Sequence, residues 1–273
     1  MGDDDNIRTE IRSLISSLPS DADFQGAKIY NYQGCWYRNF ALQAVIDFQR
    51  NCKPTDTDII LASYPKSGTT WAKALTVALL ERSVDGSCNN HPLASGSPHM
   101  LFPSSPRVFS THMPLHTLRQ PLMNAPCKIV YMCRNVKNVL VSLESFCRGV
   151  HYFGPFWDSV LSYWRGSLED PEHVLFMKYE DLKAEPCAQV MRLAEFLGCP
   201  FSQEEKRGGS VEKILELCSF GNLSSFDVNQ TGTHDIFFRK GEVDDWKNHL
   251  TTEMQKKIDM VIQEKFQGSG LEF

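Results

Sequence analysis

Apolar residues in this chain gather into short continuous runs, separated by longer stretches in which they recur every three or four positions. The runs at 59–62, 107–111, 128–132 and 174–177 are four or five residues long and bounded by polar positions, the pattern of buried strands. The intervening periodicity predicts helices over 69–82, 137–147, 156–167, 185–197, 210–217 and 251–265. Strands alternating with helices predict a single α/β domain, a doubly wound and mostly parallel sheet flanked by helices. Its ligands should lie beyond the C-terminal ends of the strands. Residues 1–24 are acidic and polar; a short helix over 7–18 is expected within an otherwise flexible N-terminal segment, with the domain proper running over 25–273.

The first run carries the clearest chemistry. Residues 64–68 form a turn rich in Pro, Ser and Gly, and Thr69 opens the helix that follows. A strand, a tight loop and a helix start direct free backbone N–H groups and the positive end of the helix dipole at one point, which suits an anion. Lys66 adds a fixed positive charge; Ser67, Thr69 and Thr70 add hydroxyls, and Gly68 gives the turn its freedom. This is phosphate-cradle logic, but Lys66 precedes Gly68, whereas the nucleotide-triphosphate loop places its Lys after the last Gly. Helix capping alone needs one Ser or Thr and leaves Lys66 and Trp71 unexplained.

Composition narrows the setting. A chain of 273 residues with 42% hydrophobic and 11% aromatic content is ample for one packed core. A formal net charge of -5 argues against general nucleic-acid binding. Nine Cys without a C-x-x-C pair, and no secretory signal, read as reduced thiols of a cytosolic protein. No stretch is long and apolar enough to span a bilayer. Gly2 alone does not make a lipidation site, because Asn6 stands where Ser or Thr is wanted. The sequons at Asn222 and Asn229 read as chance matches.

Together, Tyr64-Pro-Lys-Ser-Gly-Thr-Thr-Trp71 resembles the cofactor signature of the cytosolic sulfotransferases, and the resemblance extends over nearly the full chain. It implies transfer of a sulfonate group from 3'-phosphoadenosine 5'-phosphosulfate (PAPS) to a hydroxyl of a small-molecule acceptor, without a metal. By the same resemblance, Arg134 and Ser142 would bind the 3'-phosphate, and Arg239, Lys240 and Gly241 would close over it. Trp71 and Phe220 would sandwich the adenine, with Tyr179 at its edge and Cys218 nearby, where animal members often carry Thr. His112, in Thr111-His-Met-Pro114, matches the catalytic base and Lys66 the group that stabilises the leaving oxygen. An imidazole suits proton removal at neutral pH, and an Arg fork suits phosphate.

Residues 34–37, 154–157 and 264–271 resemble plant members, whose acceptors include flavonoids, steroids, phenols, desulfo-glucosinolates and hydroxyjasmonates. Three regions are shorter than the family pattern: 92–106, 142–149 and 229–237. Asp244 replaces a Gly, which brings strain if that position needs positive φ. The segment 247–256 only partly matches the dimerisation motif of animal members, so oligomeric state stays open. Two alternatives stay open beside a sulfotransferase. One is a catalytically impaired PAPS-binding relative that lost its acceptor-pocket loops; the other is a P-loop kinase, which the Lys66–Gly68 order disfavours.

Overall fold

The structure is a computed structural model that describes residues 2–82, 91–94, 97–98, 106–122, 127–139, 143–225 and 243–273. Helix α1 (Gly2–Ser17) leads into an antiparallel sheet of β1 (Ser20–Ala22), β2 (Lys28–Tyr32) and β3 (Cys35–Arg38), followed by α2 (Asn39–Asn51). None of these strands was expected from the sequence. The β2–β3 hairpin turns through Gln33 and Gly34, both at positive φ (52° and 82°), the geometry of a two-residue primed turn. Gln-Gly does that work here instead of the more familiar Asn-Gly. The N-terminal segment is also more than a mobile tail. Ile11 and Ile15 are buried one helical turn apart and join the core, so packing begins well before residue 25.

The four apolar runs become β4 (Ile59–Ser63), β5 (Val108–Thr111), β6 (Lys128–Cys133) and β7 (Val174–Lys178), all parallel, in the order β5-β4-β6-β7. Alternate residues serve opposite faces. Ile60, Ala62, Ile129, Tyr131, Val174 and Phe176 share one core cluster, and Ile59, Leu61, Val130, Met132, Leu175 and Met177 share the other. Burial on both faces explains why β4, β6 and β7 read as unbroken apolar runs; β5, at the sheet edge, exposes Phe109 and Ser110, so the buried strand expected over 107–111 is a strand buried only at Val108.

Helix α3 (Thr69–Leu80) ends two residues short of its expected limit. After α4 (Leu115–Leu122), the helix expected over 137–147 is represented by α5 (Val136–Val139) and α6 (Leu143–Arg148), with 140–142 outside the described residues. The remaining helices are α7 (Phe156–Glu169), α8 (Tyr179–Ala184), α9 (Pro186–Leu197), α10 (Gln203–Arg207), α11 (Ser210–Leu217), α12 (Phe220–Ser225) and α13 (Thr252–Phe266).

Because β4 is central and the chain winds from it to β5 on one side and β6 on the other, the strand order reverses at β4. In such sheets the crevice beyond the C-terminal ends at that reversal is the ligand position. The opposite edge is tied for stability. Buried Asp58 accepts from Arg107 Nε (2.8 Å) and Nη2 (2.6 Å) and from Thr55 N (2.7 Å), and its carbonyl accepts from Lys128 N, so one residue joins the starts of β4, β5 and β6.

Candidate active site

The register of the parallel sheet pairs Ala62 with Thr111, Ser63 with Met132 and Cys133 with Lys178, so the strand ends lie level. Every strand therefore delivers its next residues to the same crevice: the 64–68 loop from β4, His112 from β5, Arg134 from β6 and Tyr179 from β7.

The 64–68 loop is wound tightly. Ser67 N donates to the Tyr64 carbonyl (3.1 Å), and Lys66 and Gly68 both have positive φ, 67° and 104°. Gly68 is the residue before α3 and has no side chain to cap it. The first amides of α3 consequently have no acceptor within the helix, the arrangement that binds an anion. The buried Ser67 Oγ and Trp71 Nε1 have no partner among the described residues. A polar group buried in this way is costly unless something bonds to it.

A Cβ on Gly68 would stand 2.9 Å from Cδ2 of Tyr179. Glycine here thus answers two demands at once, left-handed backbone and the close approach of an aromatic ring. That ring holds the next two site residues. Trp71 meets Tyr179 edge-on with ring centroids 5.3 Å apart, and the Arg134 guanidinium lies 4.3 Å from the Tyr179 centroid. Arg134, only 8% exposed, also donates from Nη1 to the Lys66 carbonyl (3.3 Å). The structure thereby brings together two motifs that lie 68 positions apart in the chain. Tyr179 stands between them and beneath the guanidinium.

Beside Arg134, Glu180 accepts from Asn135 N (3.1 Å); burial raises its carboxyl, and that hydrogen bond and Arg134 partly offset the rise. Sequence reasoning missed Glu180. Its adjacency to Tyr179 was visible, but its bond to the residue after Arg134 was not.

His112 bonds through Nδ1 to the Ser63 carbonyl at 2.6 Å. A carbonyl only accepts, so Nδ1 carries the hydrogen and Nε2 keeps its lone pair. The imidazole packs edge-on against Phe153 at 5.1 Å. Burial lowers the affinity of His112 for a second proton, the Ser63 hydrogen bond opposes that, and the positive charge of Lys73 adds to the lowering. Ser63 also binds Thr69, Oγ to Oγ1 at 2.6 Å, which couples the His112 support to the start of α3. Ser63 and Phe153 were missed in the sequence. Ser63 left one signal, a hydroxyl residue closing an otherwise apolar strand.

Cys218 is fully buried at the end of α11, and Phe220, at the start of α12, is 38% exposed. Ser142, Arg239, Lys240 and Gly241 lie outside the described residues. Asp244 does occupy left-handed backbone (φ 67°), so the strain expected for a replaced Gly is present. Its carboxylate accepts from Lys247 Nζ and from Trp246 Nε1 (3.2 Å), and the Lys247 bond holds its carboxyl below the ordinary range despite slight burial.

Comparison with known proteins shows the family and the fold. The sulfotransferase domain family matches residues 56–143 and 142–270. The chain belongs to the sulfotransferase family. Cytosolic sulfotransferase 1 of Arabidopsis thaliana is 54% identical over 320 aligned residues, covering 99% of this chain and 96% of the relative. Cytosolic sulfotransferase 4 of the same plant is 57% identical over 270 residues, covering 98% and 96%. An Arabidopsis thaliana sulphotransferase of solved structure superposes with a TM-score of 0.81 at 37% identity, covering 100% of this chain and 98% of that one. A mouse sulfotransferase complexed with PAP, the desulfonated cofactor, shares the fold at TM-score 0.68 and 24% identity, covering 88% and 95%.

The family match divides at residues 142 and 143, inside the region that the sequence marked as shortened. The 320-residue alignment is longer than this 273-residue sulfotransferase, so relative 1 carries residues that this chain lacks. The alignment with relative 4 shows no such excess. The cytosolic placement expected for this sulfotransferase accords with the names of these relatives, and no helix among the described residues is long and apolar enough to cross a membrane.

Proposed function

We propose that this sulfotransferase moves the sulfonate group of PAPS to a hydroxyl of a small metabolite, with His112 as general base. The observation that carries the reading is the meeting of two opposite needs in one crevice. Anion donors are provided by the start of α3 and Arg134, and a proton acceptor is provided by His112 Nε2.

The donor set fits PAPS. The amides opening α3, with Ser67, Thr69, Thr70 and Lys66, would hold its phosphosulfate, and Arg134 its 3'-phosphate, with Trp71 and Phe220 about the adenine and Tyr179 and Cys218 beside it. Ser142, Arg239, Lys240 and Gly241 would complete that grip. PAPS supplies the activated sulfonate. The protein supplies position and charge: His112 accepts the acceptor's proton at Nε2, and the Lys66 ammonium stabilises negative charge on the departing oxygen. The Ser63 carbonyl fixes the tautomer this requires. The flavonoids, steroids, phenols, desulfo-glucosinolates and hydroxyjasmonates named above remain the candidate acceptors.

The test is a calorimetric titration with PAP and, separately, with ATP and Mg²⁺, followed by turnover of PAPS against a panel of hydroxylated acceptors. Preferential PAP binding with turnover is expected; binding of ATP alone would overturn the reading. His112→Ala should abolish turnover while PAP affinity changes less than about twofold, since His112 bonds to the Ser63 carbonyl and packs on Phe153 rather than bonding to a described anion donor. Loss of both would make His112 structural.

A further inference from the structure

Lys73 lies within the catalytic neighbourhood and has no role in the reading above. It sits on α3, four residues after Thr69 and three after Thr70, so the three share one helix face. Thr69 is hydrogen-bonded to Ser63, whose carbonyl holds His112, so this face adjoins the base. Lys73 is half-buried, and its ammonium has no hydrogen bond or ion pair among the described residues. Desolvation weakens its hold on its proton, and its charge acts on His112. Among the described residues no carboxylate offsets that action, and the other groups recorded against the imidazole are the Ser63 carbonyl from β4 and the Phe153 ring from the segment before α7.

A half-buried ammonium without a counter-ion among the described residues is costly, and negative charge arriving beside it relieves that cost. We propose that Lys73 is a specificity-determining residue of the transfer site, stabilising negative charge on the acceptor oxygen next to His112 and so favouring acidic hydroxyls, phenols foremost, over alkanols. This rests on the sulfonate-transfer reading and narrows its acceptor class. In the step concerned, the acceptor O–H bond breaks with its proton passing to His112 Nε2. The new O–S bond forms, and the old S–O bond breaks with its electron pair staying on the departing phosphate oxygen. Charge on the acceptor oxygen is greatest where proton loss runs ahead of bond formation, as it does for an acidic hydroxyl. A cation beside the base also keeps the imidazole neutral, which weakens it as a base and again suits acidic hydroxyls.

The experiment compares wild type with Lys73→Met, which keeps the stem and removes the charge, and Lys73→Arg, which restores it. The His112 proton resonances, assigned by their absence in His112→Gln, are titrated by NMR without any ligand. The expected result is an upward shift of the His112 midpoint in Lys73→Met by about half a pH unit or more, and a return toward wild type in Lys73→Arg. PAP affinity should stay within about twofold, and the phenol-to-alkanol ratio of kcat/KM should fall at least tenfold in Lys73→Met. An unmoved His112 midpoint overturns the proposal even if the protein never turns over. A shifted midpoint with an unchanged acceptor ratio also overturns it as a statement about specificity. Failure of wild type to bind PAP would instead strike the donor reading, which the ligand-free titration does not depend on.

Discussion

At the scale of single residues, the site depends on side chains whose partners are backbone groups. Arg134 is held by the Lys66 carbonyl and the Tyr179 ring, so it is preorganised before any phosphate arrives. Arg134→Ala should weaken PAP binding by roughly 1.5–3 kcal/mol, the range for a charge-assisted hydrogen bond. Calorimetry reads this directly, and unchanged affinity would remove Arg134 from the site. Asp244 presents the opposite situation, a residue in a backbone region where Gly has no Cβ penalty. Its links to Lys247 and Trp246 are exposed and recover little of that strain. Asp244→Gly should raise stability by about 0.5–1 kcal/mol in urea unfolding and tighten PAP binding; weaker PAP binding would mean the chain has adapted around the carboxylate.

At the scale of elements, α4 and α7 meet through Gly166, where an added Cβ would overlap Leu115 Cδ2. Leu115 is buried and lies three residues after His112, with its amide bonded to Ser162 Oγ of α7 (3.0 Å). Gly166→Ala would gain about 1 kcal/mol of helix propensity, but forcing a methyl into a filled core costs roughly 1–3 kcal/mol. Overpacking should win, giving a small net loss in urea unfolding and a lower kcat as the β5–α4 segment shifts. A net gain in stability would show that Leu115 yields freely. The elements themselves were unequally visible. Strands β4, β6 and β7 declared themselves as apolar runs because both of their faces are buried, whereas β5 at the edge leaves Phe109 and Ser110 exposed. The β1–β3 sheet did not, since its strands are short and half-exposed and it turns through Gln33-Gly34. Helix α1 was half-read: its position was clear, but the core contact of Ile11 and Ile15 depends on what stands opposite them.

At the scale of the whole molecule, acid should destabilise the fold through its buried imidazoles. His151 bonds through Nδ1 to the Tyr64 hydroxyl (2.8 Å), its Nε2 is buried without a partner among the described residues, and burial lowers it to about 4. Burial also lowers His91 and His112. A histidine whose folded value lies below its unfolded value of about 6.5 favours the native state fully above that pH, and the contribution is lost as pH falls toward the folded value. For His151 the window is therefore about pH 6.5 to 4, worth at most roughly 3 kcal/mol. Urea midpoints should fall across that window, and His151→Gln should flatten part of the fall. An identical slope in the variant would show that His151 is not the titrating group.

What the sequence determined by itself was the chemistry that is local in the chain. The strand–loop–helix unit at 59–80 and the strand ends carrying His112 and Arg134 were legible because each depends on neighbours within a few residues, and the conflict at Asp244 showed through the resemblance to a family with Gly there. The tertiary structure decided what those pieces share. Strand order set the reversal at β4, register set the strand ends level, and only then did the Lys66 carbonyl meet Arg134, the Ser63 carbonyl fix the His112 tautomer, and Ser63 tie His112 to Thr69 on the face of α3 that carries Lys73. Those relations join residues far apart in sequence. Periodicity records which face of an element is buried, but not which element covers it.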